Sequence, residues 1–402
     1  MRITHQYHLR PTSQQIASFQ MWLELCRRQY NYRLAERFNW WEQNRCDVNR
    51  CSIISCSIAP LKDKPDYYSQ KRDLINCKAL FPEYKELPSN TLQDVVARVE
   101  KTFHRWLKGD SNGKKSGRPR FKGKGRYRSL SFPNPIKPEH IQGKFIQLPK
   151  IGKVKMILHR PIPDGFKIKT ATITHKADGW YISLSLEDVT VPSLKTDATP
   201  TSDNTVGIDM GLKSFLVTSD DQEVEIPQHY RKAEKKLKRL QRQLSRKIKG
   251  SNRRKKAIKR VARVHLKVAN QRKDFHYKTA LWLLSLGYKF IAYEDLNIKG
   301  LAKSRLAKSI LDAAWGQFLG IVTLKAANAG GAGLPQNPRK STIECSDCGA
   351  EVPKTLADRW HNCQCGASYD RDHNAARNIK YRAVGHPVLQ SSVNVRRVAG
   401  SR

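Results

Sequence analysis

Apolar and polar residues alternate in the segment ITHQYHL at 3–9, and this period of two predicts a half-buried β-strand. The pattern then changes to a helical one. Thr12 and Gln15 have the spacing of a helix capping box, and apolar residues follow at steps of three and four over 16–30. A similar stripe runs over 92–106. The start of the chain is therefore predicted to be one strand followed by helices.

Alternation returns over 145–186 and predicts a small antiparallel barrel or sheet. An isolated strand at the start of the chain would leave an unpaired edge, so we expect that strand to join this sheet. The barrel would then comprise residues 1–11 and 111–190, with a helical domain inserted at 12–110. Residues 191–204, rich in Pro, Thr and Ser, are predicted to form a linker.

In the second half of the chain, two apolar strands end in acidic residues. The strand at 205–209 ends in Asp209, and the strand at 288–296 carries Glu294 on one face and Asp295 on the other. An acid in a buried strand is costly unless it binds something. The alternative for Asp209 is a carboxylate satisfied by the turn that follows it.

Between these two strands, residues 230–276 have the pattern of a basic helical hairpin. An apolar stripe over 237–248 stops at a Gly-Ser-Asn turn and resumes at Ile258. Nearly all other positions are Lys or Arg, and acids are too rare for ion pairing to explain them. We expect this surface to follow a nucleic-acid backbone. The candidate contacts are Arg242, Arg246, Arg253, Arg254 and Lys255.

Composition supports a polyanionic partner. The chain of 402 residues has 75 Lys and Arg against 35 Asp and Glu, a formal net charge of +40. Its hydrophobic content of 39% is enough for folded cores, in two or three domains. No apolar run reaches the roughly 20 residues that span a bilayer, and the first residues lack a signal peptide. We therefore expect a protein of the bacterial cytoplasm or nucleoid, with no membrane partner and no small-molecule substrate.

A glycine-rich basic stretch at 113–128 is a second candidate surface. Its glycines allow close approach of the backbone, its cations can neutralise phosphates, and Phe121 and Tyr127 could stack on bases. The alternative is a solvated linker. The candidate contacts are Lys114, Lys115, Arg118, Arg120, Phe121, Lys122, Lys124 and Arg126.

Four cysteines near the end of the chain form two close pairs, C-x2-C and C-x-C, joined by a polar loop. They are Cys345, Cys348, Cys363 and Cys365. This spacing is typical of a tetrahedral structural zinc site, and the alternatives are free cysteines or two disulfides. The short C-x-C pair leaves His361 as a possible substitute ligand.

Directly after the cysteines, the D-R-D step places Asp370 and Asp372 before a helix-like run at Asn374. A closed zinc site performs no chemistry, so acids beside it suggest a metal-dependent nuclease. The alternative is that they only cap the helix. Together, Asp209, Glu294 and Asp372 could hold two Mg²⁺ ions about 3.5–4 Å apart for attack of water on a phosphodiester.

Seven motifs of the chain resemble those of the TnpB family, proteins encoded by insertion-sequence transposons and similar to type V CRISPR nucleases. The motifs are HLRPTxxQ at 8–15, GRPRFK at 117–122, VGIDMGLK at 206–213, YEDLNIKG at 293–300, WGQFL at 315–319, CSDCG at 345–349 and YDRDHNAARNI at 369–379. The resemblance thus covers nearly the whole chain. Two local departures are the C-x-C pair and the order of Ser341 and Thr342.

The resemblance implies an α/β multidomain fold, with an RNase H-like RuvC nuclease domain at 205–340 and 367–383. A zinc module that binds target nucleic acid would be inserted at 341–366, and a disordered tail would follow at 384–402. The N-terminal half would be a wedge-type β-barrel with an inserted recognition domain.

The resemblance also implies a function, RNA-guided cleavage of double-stranded DNA beside a short adjacent motif, with guide RNA from the transposon end. Its catalytic acids would be Asp209, Glu294 and Asp372, with two Mg²⁺ ions, and its zinc ligands the four cysteines. Guided recognition would explain why no base-reading helix is evident in the sequence. The rival hypotheses are a catalytically silent guided repressor and a transposase that acts without RNA.

Overall fold

Two units make up the computed structural model of this chain, Met1–Pro192 and Ser193–Arg402. The structure describes residues 2–44, 63–134, 136–190, 198–355 and 358–386. Within these ranges, every helix is too short or too polar to cross a lipid bilayer. Half of the predicted linker, 191–197, and most of the predicted tail, 387–402, lie outside the described residues.

The first unit is built on a seven-stranded antiparallel sheet whose middle strand comes from the start of the chain. Strand β1 (Arg2–Arg10) pairs with residues 180–187 on one side and 155–157 on the other. This confirms the expectation that the first strand joins the sheet and does not remain an isolated edge. The full order is β2 (Ser129–Phe132), β6 (Lys167–His175), β7 (Trp180–Glu187), β1, β5 (Gly152–Ile157), β4 (Phe145–Leu148) and β3 (Ile141–Gln142). Among the described residues this pairing runs from β2 to β3 without closing, so the barrel remains a prediction.

All α-helices described in this unit, and one of its two 3-10 turns, lie between β1 and β2. They are α1 (Ser13–Asn44), α2 (Tyr67–Arg72), α3 (Leu74–Leu80), a 3-10 turn (Pro82–Glu86) and α4 (Ser89–Leu107). The predicted capping box is present, because the Gln15 backbone N–H donates to Thr12 Oγ1 at 3.3 Å and the Thr12 N–H donates to Gln15 Oε1 at 3.1 Å. The predicted stripes on α1 and α4 face the core. The short helices α2 and α3 had no clear sequence pattern.

Helix α1 also buries two arginines, Arg33 and Arg37, which the apolar stripe does not predict. Arg33 is compensated by Glu36 at 3.0 Å and Asp73 at 2.8 Å, so its charge is not left alone in the core. Arg37 pairs with Glu100. The pairs with Asp73 and Glu100 join α1 to the segments that follow it.

The second unit contains a five-stranded mixed sheet in the order β10 (Glu223–Glu225), β9 (Ser214–Thr218), β8 (Thr205–Asp209), β11 (Phe290–Glu294) and β12 (Ala332–Gln336). Strands β8, β11 and β12 are parallel to one another. Strand β9 runs antiparallel to both of its neighbours, β8 and β10. The helices described here are α5 (His229–Ser245), α6 (Asn252–Ser285), α7 (Ile298–Leu301), α8 (Ala307–Ala313), α9 (Trp315–Asn328) and α10 (Arg371–Val384). A two-stranded ribbon, β13 (Trp360–Asn362) and β14 (Ser368–Asp370), precedes α10.

The basic hairpin is present as α5 and α6, with two differences from the prediction. Helix α6 continues to Ser285, nine residues beyond the predicted end at His276. The apolar stripe is also shorter than predicted, because Leu237 is buried but Ile248 is 81% exposed and Ile258 is 48% exposed. Near the turn of the hairpin, the described residues leave these two isoleucines largely uncovered.

Candidate functional site

Asp209 and Glu294 end two neighbouring parallel strands of the second unit. Tyr293 of β11 lies opposite Ile208 of β8, so the next residue on each strand is one of the two acids. Because the strands are parallel, both acids lie at the same edge of the sheet. The position of Glu294 beside Asp209 is therefore a consequence of strand register.

Asp372 reaches the same edge from helix α10, which packs on β8. The close approach depends on Gly207, where a Cβ atom would overlap the backbone oxygen of Ala376 and lie 2.7 Å from the backbone nitrogen of Lys380. Asp370 caps the helix, its side chain accepting a hydrogen bond from the Asp372 N–H at 2.9 Å. The helix starts at Arg371, so Asp370 has the capping role and Asp372 lies in the first turn.

Both other acids act electrostatically on Asp209. Burial raises the pKa of Asp209 to about 8, and the negative charges of Glu294 and Asp372 add to this shift. Burial also raises the pKa of Glu294, whereas a hydrogen bond from the Ser341 hydroxyl lowers it. A buried carboxyl group whose ionisation is disfavoured by two neighbouring acids is the kind of donor that a divalent cation stabilises.

These oxygen donors fit Mg²⁺, a hard cation that prefers carboxylates and water. Among the described residues, only the four cysteines have ligand atoms that all lie within 4.8 Å of one another. The oxygen atoms of the three acids do not. The three carboxyl groups therefore do not form a complete set of ligands by themselves. An ion bound there would take its remaining ligands from water.

The four predicted cysteines do come together. Their sulfur atoms all lie within 4.8 Å of one another, with Cys345 Sγ 3.7 Å from Cys365 Sγ and Cys348 Sγ 3.6 Å from Cys363 Sγ. A tetrahedral zinc with Zn–S bonds of about 2.3 Å would separate its sulfurs by about 3.8 Å. The sulfurs therefore have the spacing of a four-thiolate zinc site.

Neither disulfide bonds nor His361 as a ligand is supported for this cluster. All four cysteines are free thiols at distances too long for disulfide bonds. His361 is not part of the cluster; it is buried on β13, and its Nδ1 contacts the Lys354 ammonium. The backbone N–H of Cys365 lowers the pKa of Cys363 to about 7, which favours the metal-binding thiolate.

Three family models match parts of the chain. A model described as "Probable transposase" matches residues 183–305, one described as "Cas12f1-like, TNB domain" matches 315–379, and one described as "Helix-turn-helix domain" matches 1–46. The first two contain all three acids and all four cysteines between them. The third does not describe the local structure, because residues 2–44 form strand β1 and the single helix α1.

Relatives with known names match most of the chain. A protein of Streptomyces pristinaespiralis named "Putative RNA-guided DNA endonuclease" is 32% identical over 299 residues, which are 73% of this chain and 71% of that protein. This chain belongs to the TnpB family. A second relative, from Escherichia coli strain K12, carries the same name followed by InsQ and is 30% identical over 76% of each chain. The TnpB membership inferred from the motifs is thus confirmed.

A solved structure has the same overall fold as this TnpB chain. The likeness to a chain from the "Cryo-EM structure of the Cas12f1-sgRNA-target DNA complex" has a TM-score of 0.53 at 14% identity, and it covers 91% of this chain and 83% of that chain. At this identity the likeness is one of fold.

The described residues 341–355 and 358–366, which carry the four cysteines, are called the cysteine lobe here. Two asparagines whose role the sequence did not indicate tie helix α10 of this TnpB chain to that lobe. Asn374 accepts a hydrogen bond from the Ser346 N–H at 3.0 Å and donates to the Glu344 backbone oxygen at 2.7 Å. Asn378 donates to the backbone oxygens of Ser341 at 2.9 Å and of Glu344 at 2.6 Å. Both are buried. Their spacing of four residues on one helix face is the signal that could have revealed them.

The candidate contacts of the glycine-rich stretch differ in exposure. Lys114, Lys115, Arg120, Lys124 and Arg126 are exposed, and Lys122 is half-buried. The Arg118 guanidinium lies 4.5 Å from the centre of the Phe38 ring and pairs with Glu42, so it also stabilises the fold. Phe121 is 55% exposed, but Tyr127 is buried and contacts Arg98. The suggestion that Tyr127 stacks on bases was wrong, because packing against α4 covers it.

In the hairpin of the second unit, four of the five candidate contacts are exposed: Arg242, Arg246, Arg253 and Lys255. Arg254 is engaged in the fold. Its guanidinium donates to the backbone oxygens of Leu244 at 3.1 Å and Lys247 at 2.9 Å and so closes the turn between α5 and α6.

Proposed function

We propose that this TnpB chain is an RNA-guided DNA endonuclease. A guide RNA from the transposon end would direct it to double-stranded DNA beside a short adjacent motif, and Asp209, Glu294 and Asp372 would serve Mg²⁺-dependent hydrolysis. The observation that carries the proposal is the meeting of three carboxyl groups, far apart in sequence, at one edge of a sheet. The net charge of +40 and the names of the relatives support nucleic-acid partners.

The fold proposed for the second unit is an RNase H-like RuvC domain. The support for this is the mixed sheet in which β8, β11 and β12 are parallel, with α10 packed on β8. The cysteine lobe would be a module inserted before α10. The proposed structural zinc would be held by the four cysteines and would keep this lobe in a fixed shape next to the acids.

The residues around the proposed site have defined tasks. Magnesium, when bound, supplies activation of a water molecule and stabilisation of the leaving oxygen. Asp209 must release its proton to act as a ligand, since burial and its acidic neighbours hold that proton up to a pH of about 8. The Ser341 hydroxyl orients Glu294, and the Asp370 cap sets the start of the helix that carries Asp372.

The test begins with the RNA that co-purifies with the protein. We expect a defined transcript from a transposon end, and we expect the complex to cut a plasmid only when the plasmid carries a matching target. Purified protein that cuts transposon ends without RNA would instead indicate a transposase. A complex that binds the matching target and never cuts it would indicate a guided repressor.

Gly207 provides a prediction about how the acids are brought together. In Gly207→Ala, the new Cβ would collide with the backbone of α10, so the helix and Asp372 must shift. Because a displacement of about 1 Å can cost about a hundredfold in rate, we expect cleavage to fall by about that factor with RNA binding retained. The measurement is the single-turnover cleavage rate of the RNA-loaded protein.

Gly320→Ala is the matched control, since a Cβ at this position on α9 meets nothing within 4 Å. It should cut at the wild-type rate and melt at the same or a slightly higher temperature. Wild-type cleavage by Gly207→Ala would show that the close approach of β8 and α10 does not position the acids.

A further inference from the structure

Trp360 is an exposed tryptophan in the cysteine lobe. Its side chain is 55% exposed, and it is the only aromatic residue among the exposed large hydrophobic residues described in the second unit. Burial is the usual fate of such a side chain. The indole is nevertheless held in place, since its Nε1–H donates to Ser368 Oγ at 2.8 Å and that hydroxyl donates to Asn362 Oδ1 at 2.7 Å.

The strand register places Trp360 beside the candidate active site. Trp360 of β13 lies directly opposite Asp370 of β14, the residue that caps the helix carrying Asp372. Directly opposed residues of an antiparallel pair project from the same face. The next pair, His361 with Tyr369, projects from the other face, and His361 is fully buried there. Trp360 therefore lies on the outward face of the lobe, at the N-terminal end of α10 where Asp370 and Asp372 lie.

Three cations belong to the segments next to Trp360 or contact its partner Asp370. Arg359 precedes it and is exposed, Arg371 follows Asp370 and reaches back to the Asp358 backbone oxygen at 3.1 Å, and Lys213 lies 3.4 Å from the Asp370 carboxylate. An exposed aromatic ring among cations is the combination that binds single-stranded nucleic acid, with the ring under a base and the cations at phosphates.

We propose that Trp360 is a stacking platform for an unpaired base of the DNA strand that is cut, next to the scissile phosphodiester. The inference rests on the proposed endonuclease function. In an intact duplex both faces of each base are covered by neighbouring bases, so an indole can stack only on a base that has been unpaired. Trp360 would thus favour strands that the guide RNA has opened, and it would hold the scissile phosphate near Asp209, Glu294 and Asp372.

The test uses the RNA-loaded protein and a target matching its co-purified RNA, with 2-aminopurine at the nucleotide beside the cut. All proteins carry Asp209→Ala so that the DNA stays intact. We expect quenching of the 2-aminopurine fluorescence with Trp360 and with Trp360→Phe, and loss of quenching with Trp360→Ala. The affinity for the unpaired strand should fall about ten- to hundredfold in the alanine variant and little in the phenylalanine variant.

Leu324→Ala, which changes an exposed leucine of α9, is the control and should change neither readout. Zinc content checks that the lobe is intact; if Trp360→Ala loses zinc, Trp360→Leu is compared with Trp360→Phe instead. Equal quenching and equal affinity with and without the ring would overturn the proposal.

The outcome for Trp360 is separable from that for the proposed function. Cleavage by the protein with Asp209 intact is measured in parallel. A protein that cuts its target but shows no dependence on the ring contradicts the platform alone. A protein that never cuts with its RNA contradicts the proposed function, and the fluorescence still decides whether Trp360 stacks on DNA.

Discussion

Replacement of Asp209 by alanine is expected to lower DNA cleavage by the RNA-loaded protein at least about a thousandfold, a loss of about 4 kcal/mol of transition-state stabilisation. Asp209 is the acid whose pKa responds to both other carboxyl groups, so it is the member of the cluster that lies near both. Removing it would take away the carboxylate that feels both other acids of the proposed magnesium site. Single-turnover cleavage of a matching target measures the effect.

A second readout separates lost chemistry from lost folding. Because the folded protein raises the pKa of Asp209 to about 8, the folded state holds a proton that the unfolded state releases above about pH 4. Without metal, stability is therefore lost as the pH rises from about 4 to 8, and Asp209→Ala should melt at a higher temperature than wild type at pH 8 in a chelator. A lower melting temperature would contradict this account.

Asp295→Ala is the matched control for the acids. Asp295 follows Glu294 directly and is exposed, and it was predicted to point to the other face of the strand. We expect this variant to cut at close to the wild-type rate. RNA binding should be unchanged in both variants, and cleavage by Asp209→Ala within tenfold of wild type would remove Asp209 from the proposed site.

The second large effect is expected from Cys345→Ser. Cys345 is the fully buried member of the cluster, and structural zinc contributes roughly 10–16 kcal/mol to the folding of small zinc modules. Loss of this thiolate should reduce bound zinc from about one ion per chain to a small fraction and expose residues 341–366 to protease. Zinc is measured by mass spectrometry of the purified protein and proteolysis by fragment mapping.

Cleavage should fall in the same variant, because the lobe is attached to the acids. Ser341 donates to Glu294, and Asn374 and Asn378 of α10 bind the backbone at the base of the lobe. Cys77→Ser is the control, since Cys77 lies in the first unit and outside the cluster; it should keep its zinc. Full zinc content in Cys345→Ser would contradict the assignment of the four cysteines as zinc ligands.

Much of the site could be predicted from local sequence because its signals are local. Asp209 and Glu294 stand out as acids that end apolar strands, and the paired cysteines stand out by spacing. The capping box of Thr12 and Gln15 was equally visible. Each of these depends on residues within a few positions of one another, where backbone geometry determines which side chains are neighbours.

Features that depend on distant contacts were missed. The burial of Arg33 is compensated by Asp73, which lies between α2 and α3, and Tyr127 is covered by α4. The predicted stripe at the hairpin tip failed at Ile248 because a periodic pattern cannot show whether another element covers it. His361 as a zinc ligand was a further local inference, and the fold leaves that ring outside the group of four sulfurs.

The sequence by itself determined which residues of this protein could bind metal and nucleic acid. It also indicated which strands and helices carry them, because periodicity and motif spacing depend only on residues that are close together in the chain. Only the tertiary structure decided that Asp209, Glu294 and Asp372 share one sheet edge, that Asn374 and Asn378 fasten the cysteine lobe there, and that Trp360 lies beside it. These relations follow from parallel strand register and from the backbone contact at Gly207, which join segments more than eighty residues apart.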